Sequence, residues 1–178
     1  MAMTATETPP DAPQFIWPVV TGESLRHAWM NYDLMSDSLM IAFSATNEPA
    51  MPWVVDDGGQ DLITVRYDHQ THHVTGLFFE YFLISIVPTR PAFYAFFDLA
   101  AMRGVSPETL RRIHDHFGRP DVPASLADES ASRQTMAALI GEIAAGHALE
   151  GHEPRTDPVM VALVQEVTRE LLWAERSG

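Results

Sequence analysis

Residues 32–44, YDLMSDSLMIAFS, and residues 62–77, LITVRYDHQTHHVTGL, decide the fold. In the first stretch Leu39, Ile41 and Phe43 alternate with Met40, Ala42 and Ser44, the period of a strand with one face buried more deeply. In the second, Ile63, Val65 and Tyr67 alternate with Thr64, Arg66 and Asp68 in the same way. Asp33 and Asp37 flank Leu34-Met35-Ser36 between two strand-like runs. Short carboxylates at such places accept hydrogen bonds from nearby backbone N–H groups and hold a turn. Residues 68–73 then lead into Val74 as a hairpin loop would. The alternative is that Asp33, Asp37 and Asp68 gather as acid/base groups or metal ligands. Aspartates are so common in turns that the structural reading comes first.

This spacing resembles a short bacterial domain known only as a domain of unknown function. Its members read approximately Y-D-x3-D-x-L-x-I, a variable acidic stretch, a second hydrophobic-Y-D, a polar turn and V-x-G-hydrophobic. Tyr32, Asp33, Asp37, Leu39, Ile41, Tyr67, Asp68, Val74 and Gly76 match that pattern, within residues 28–82. The resemblance implies a small antiparallel β-meander and no established activity. Two departures stand out. The family usually carries Gly or Asn at the hairpin tip, where this chain has His69-Gln70-Thr71-His72-His73. The family also ends soon after its last strand, whereas this chain continues to residue 178.

Composition sets the class. A chain of 178 residues with 46% hydrophobic and 10% aromatic content has the material for a packed core. There is no cysteine, which removes disulfides, thiolate metal sites and cysteine nucleophiles and suits a cytoplasmic protein. Twenty-four acidic residues against 11 basic ones, all arginine, give a net charge of −13. A net negative surface repels phosphates, so neither a nucleic acid nor an anionic membrane is an expected partner. The opening residues 1–14 lack a basic region followed by an apolar run and read as a disordered tail.

Residues 76–87 form the most apolar run. It is too short to span a membrane, contains Glu80, and reads as a long strand covered on both faces. Pro88 and Pro91 end that strand, and helical periodicity takes over. Phe93, Phe96, Phe97, Ala100 and Ala101 make one apolar stripe, with Gly104 as a stop. Ser106-Pro107-Glu108 is a cap, a first-turn proline and an early acid; Leu110, Ile113 and Phe117 follow as the buried face. A third helix spans residues 132–145, with Met136, Leu139, Ile140 and Ile143 inward. A fourth starts at Asp157-Pro158 and repeats Val159, Leu163, Val167 and Leu171, opposite Glu166, Arg169 and Glu170. The expectation is an α+β protein: a β-meander domain over residues 15–87, then about four helices over residues 88–178 packed on or beside the sheet.

Histidine is the enriched chemical group. His69, His72 and His73 sit at the hairpin tip, where neutral imidazoles could converge on a transition metal. Surface histidines on a turn are the commoner case. His114 and His116 lie two apart on a helix, about 200° around its axis, and cannot share a ligand from one face. No His-Glu-x-x-His pattern occurs. Glu80, between Phe79 and Tyr81, could be a buried acid or base with a raised pKa, or could face water. Asp57-Gly58-Gly59-Gln60 lacks a following Lys-Ser/Thr, so it reads as a turn, and no cofactor is expected. These features point to a noncatalytic binding or assembly module that forms a homodimer and could bind a further protein. The alternative is a small metal-dependent enzyme or metal-binding protein using histidines and carboxylates.

Overall fold

In the computed structural model of the chain, the described residues are 13–55, 62–90, 93, 106–117, 129–146 and 156–177. Five strands form one antiparallel sheet: β1 (Trp29–Asp33), β2 (Ser38–Ala42), β3 (Met51–Val54), β4 (Ile63–Tyr67) and β5 (Val74–Phe79). Their order is β1-β2-β5-β4-β3. The β1–β2 and β4–β5 hairpins are the two quoted stretches, and β2 joins them by pairing with β5. The sheet is meander-like, with that one non-sequential step. Strand β3 had no clear sequence signal because Met51-Pro52-Trp53-Val54 contains a proline, which is tolerated at a sheet edge.

The ladder assigns the faces, since residues directly opposite each other point the same way. Tyr32, Leu39, Phe79 and Ile63 form one inward row, and Met30, Ile41, Leu77, Val65 and Trp53 the next. Leu39, Ile41, Leu77 and Phe79 are fully buried. Gly76 sits on the opposite face, between Ala42 and Arg66. A β-carbon there would run into the carbonyl oxygen of Ile41 and lie 3.1 Å from the Ala42 Cα. The glycine of the V-x-G pattern is therefore a close-approach position between β5 and β2.

The apolar run does not continue as a strand. β5 stops at Phe79, and the Glu80 N–H makes a last bond to the Leu62 carbonyl. Tyr81 then adopts a left-handed conformation (φ 51°), and the chain enters a π-helical turn, Phe82–Ile86. This runs on into one α-turn, α1 (Val87–Thr89), with Pro88 inside its first turn, where proline needs no N–H. Phe82, Leu83, Ile86 and Val87 are buried. A short all-apolar run is compatible with a buried helix as well as a buried strand, which is why periodicity alone misplaced the boundary.

Three longer helices follow. In α2 (Pro107–Phe117), Ser106 Oγ accepts the Thr109 N–H at 3.1 Å, the expected cap, and Ile113 is buried. In α3 (Glu129–Ala144), Met136, Leu139, Ile140 and Ile143 all face the core. In α4 (Pro158–Ser177) the buried stripe is Met160, Val164 and Val167, while Val159 is 51% exposed. Of the expected stripe, Val167 is buried and Leu163 and Leu171 pack against the core, so only Val159 falls outside it. Phe93 is buried and stacks on Phe82, with centroids 6.2 Å apart. The rest of its stripe, Gly104, the Asp57–Gln60 turn and residues 1–12 of the tail lie outside the described residues. Phe15 packs edge-on against Trp17, Trp53 and Tyr67, and Ile16 bridges to His73, tying the first described segment to the sheet.

Replacing Gly76 with Ala should destabilise the protein by about 1–3 kcal/mol, the range for forcing an extra carbon into a packed interior. Urea melts check this, with Gly141→Ala as the control, because nothing lies within 4 Å of a Cβ built at Gly141.

Candidate functional site

The β1–β2 turn and the π-helical turn meet at one carboxylate. Asp37 closes the four-residue loop Leu34-Met35-Ser36-Asp37 in a left-handed conformation (φ 48°) and is 3% exposed. Its Oδ1 accepts the Tyr32 hydroxyl at 2.8 Å and the Leu83 N–H at 2.9 Å, and its Oδ2 accepts the Ile84 N–H at 3.1 Å. Its backbone carbonyl takes the Phe82 N–H at 2.9 Å. One residue therefore satisfies three successive N–H groups at the start of a helix, groups that have no partner within the helix itself. Among the described residues no cationic side chain pairs with it. Burial pushes the Asp37 carboxyl up to about 6, against the opposing pull of the Leu83 N–H, the Tyr32 hydroxyl and the Ile84 N–H. Burial, together with the adjacent Asp37 charge, raises the Tyr32 phenol well above its ordinary value.

Asp37 thus accepts backbone hydrogen bonds, as the sequence suggested, but from a segment 46 positions away rather than from its own turn. Asp33 does the local work. Its Oδ1 accepts the Met35 N–H at 2.9 Å, and its Oδ2 accepts the Ser36 hydroxyl at 3.0 Å. Asp68 organises the second hairpin, with Oδ1 accepting the Gln70 and Thr71 N–H groups and the Thr71 hydroxyl. The Thr71 bonds hold the Asp68 carboxyl below the ordinary range. The three aspartates serve three separate local roles.

The other expectations fare differently. Glu80 is exposed at the bend after β5, not enclosed in an apolar strand. His69, His72 and His73 are exposed on the hairpin. His72 is left-handed (φ 60°), and its ring lies edge-on to Tyr67. Among the described residues no three His, Asp or Glu side chains are placed to hold a metal ion.

The histidine that does meet a carboxylate is His116, near the end of α2. Its Nε2 lies 2.9 Å from Asp157 Oδ2. Asp157 also caps α4, with Oδ1 accepting the Val159 and Met160 N–H groups, and donates its own N–H to the Ile84 carbonyl. Burial pushes the Asp157 carboxyl up, but bonds from His116, Met160 and Val159 outweigh it and hold it below the ordinary range. The Asp157-Pro158 start signal located the cap; nothing in the spacing revealed His116 as its partner.

Among the described residues, the outward face of the sheet also carries apolar side chains that the core does not enclose. Asn31, Met40, Phe78, Thr64 and Val54 form one row across all five strands, and Trp29, Ala42, Gly76, Arg66 and Pro52 the next. Met40, Phe78 and Trp29 are only partly buried and lie outside the hydrophobic core cluster, and Val54 is 46% exposed. Arg66 reaches across to Asn47 and the Glu48 carbonyl. Among the described residues no helix is long and apolar enough to cross a membrane.

Asp37→Ala should cost about 3 kcal/mol or more, because it strands two buried N–H groups and a phenol hydroxyl. Asp33→Ala should cost about 1 kcal/mol, the scale of a lost cap. Denaturant melts of the two variants measure the difference. Calorimetric titration with zinc, nickel and manganese should show no tight one-to-one binding that disappears when His69, His72 and His73 are replaced together. No family model, curated protein or solved structure matches the chain.

Proposed function

We propose that this protein is a noncatalytic binding or assembly module of the bacterial cytoplasm, and that it works as a homodimer through the outward face of its sheet. The observation that carries this reading is the row Met40, Phe78 and Val54, with Trp29 beside it, left outside the hydrophobic core. Met40 and Phe78 are adjacent on this face, with Thr64 between Phe78 and Val54, and partly exposed apolar side chains grouped in this way are what a partner covers. Residues 76–87 do not call for cover by a second copy, because that run turns at Tyr81 and buries itself as a helix. The outward face is a separate ground.

Membership of the uncharacterised bacterial family belongs to the same reading. Its support is that the matching residues carry structural duties: Tyr32 and Asp37 bond each other, Asp68 holds a hairpin, and Gly76 permits a close approach. A pattern made of such duties describes a scaffold. The absence of cysteine supports a reducing compartment.

Light scattering over a wide micromolar range tests the proposal, with about twice the 19.8 kDa chain mass expected. Phe78→Glu combined with Met40→Glu should return the single-chain mass while the thermal transition stays cooperative. A wild-type mass of one chain throughout the range would overturn the homodimer.

A further inference from the structure

Two copies of a chain with net charge −13 repel each other, so a face they share needs to be clear of acids. The two outward rows, from Asn31 to Val54 and from Trp29 to Pro52, contain no acidic residue, although the chain carries 24. They contain one cation, Arg66, which is half-buried. Its guanidinium donates to Asn47 Oδ1 at 2.7 Å and to the Glu48 carbonyl at 3.0 Å, both uncharged acceptors. Among the described residues no carboxylate pairs with it. Burial holds the Arg66 guanidinium below its ordinary pKa, with no acid to offset the cost. A planar guanidinium in that position is suited to stacking on an aromatic face. Trp29 lies in the same row, three strands away, and is only partly buried.

We propose that the two copies meet about a two-fold axis lying along the strands, between β2 and β5, so that Arg66 of each copy stacks on Trp29 of the other. This arrangement rests on the homodimer reading above and adds which residues meet. In a two-fold contact, if one residue meets a second, the second meets the first. The order β1-β2-β5-β4-β3 places β1 and β4 at equal distances from the line between β2 and β5. Rotation about that line lays β2 on the partner's β5 and β1 on the partner's β4. Met40 then meets the partner's Phe78, Asn31 the partner's Thr64, and Trp29 the partner's Arg66. Apolar meets apolar, amide meets hydroxyl, and cation meets ring. Between them Ala42 meets the partner's Gly76, and neither projects a side chain that would hold the faces apart. Packed sheets keep their strands within about 30° of each other, which preserves these pairs near the axis. An axis running across the strands, along the row of Met40 and Phe78, would instead set Trp29 over the partner's Asp33.

Sedimentation equilibrium of charge-exchange variants tests the arrangement. Trp29→Arg sets arginine against arginine, and Arg66→Glu sets an acid against the indole; each should weaken association about tenfold, since every dimer loses two such contacts. The double variant sets each introduced arginine against an introduced glutamate and should associate about tenfold more tightly than Trp29→Arg alone. Within one chain the two positions are three strand spacings apart, about 14 Å, so any recovery comes from contact between copies. A double variant no tighter than Trp29→Arg, or a Trp29→Arg chain that associates more tightly than the wild type, overturns the arrangement.

A second test leaves Trp29 and Arg66 in place. The chain has no cysteine, so Asn31→Cys and Thr64→Cys each introduce a single thiol. A short bismaleimide should link the two variants to each other when they are mixed and should link neither variant to itself. Self-linkage of either variant, or no linkage in the mixture, overturns the arrangement. A wild-type mass of one chain overturns the homodimer and this arrangement together; a two-chain mass without recovery or mixed linkage removes the arrangement and leaves the homodimer standing.

Discussion

A single carboxylate joins the two halves of this molecule. The sheet could close its own hairpins without Asp37, and the helices could pack without it. The crossing between them could not form as observed, because the N–H groups of Phe82, Leu83 and Ile84 all end on that residue. An unpaired buried N–H costs about 1–3 kcal/mol. The side chain removes that cost at two positions and its carbonyl at the third. The heads of α4 and α2 are tied to this crossing, since Ile84 in turn anchors Asp157 at the start of α4, and Asp157 binds His116 from α2.

The sheet was legible in the sequence where one face is buried and the other is not. Ile63 and Val65 alternate with the more open Thr64 and Arg66, and Leu39 and Ile41 flank the more open Met40. The caps at Ser106 and Asp157 were legible for a related reason: they are local, and a hydroxyl or carboxylate bonds the N–H two or three residues on. What the sequence hid is what burial hides. In residues 76–87 both strand and helix are enclosed, so the pattern has no polar side from which to read a period. Pro52 obscured β3 because a proline looks like a break until its place at an edge is known. On α4 the expected Leu163, Val167 and Leu171 do face the core, and packing alone added Met160 and Val164 and left Val159 exposed.

The candidate site was half legible. Asp33, Asp37 and Asp68 stood out as turn carboxylates, and each does accept backbone hydrogen bonds. Glu80 offered two readings, a buried acid or one facing water, and it faces water. The enclosed carboxylate is Asp37, and its enclosure depends on contact with residues 46 and 47 positions later. No local pattern reports a contact of that span. The Tyr32 and Asp37 spacing was a partial clue, since a tyrosine on a strand and an aspartate at the end of the following turn can reach one another across the hairpin.

Pro52 has a consequence beyond marking an edge. Val55 donates its N–H to the Ile63 carbonyl, so bonding and non-bonding pairs alternate along β3, and Pro52 occupies a position whose nitrogen faces away from β4. A strand approaching from outside would find no donor there. Growth of the sheet by strand addition at β3 is therefore obstructed: a proline at this one position denies an incoming strand the donor that edge-to-edge stacking of copies would need there.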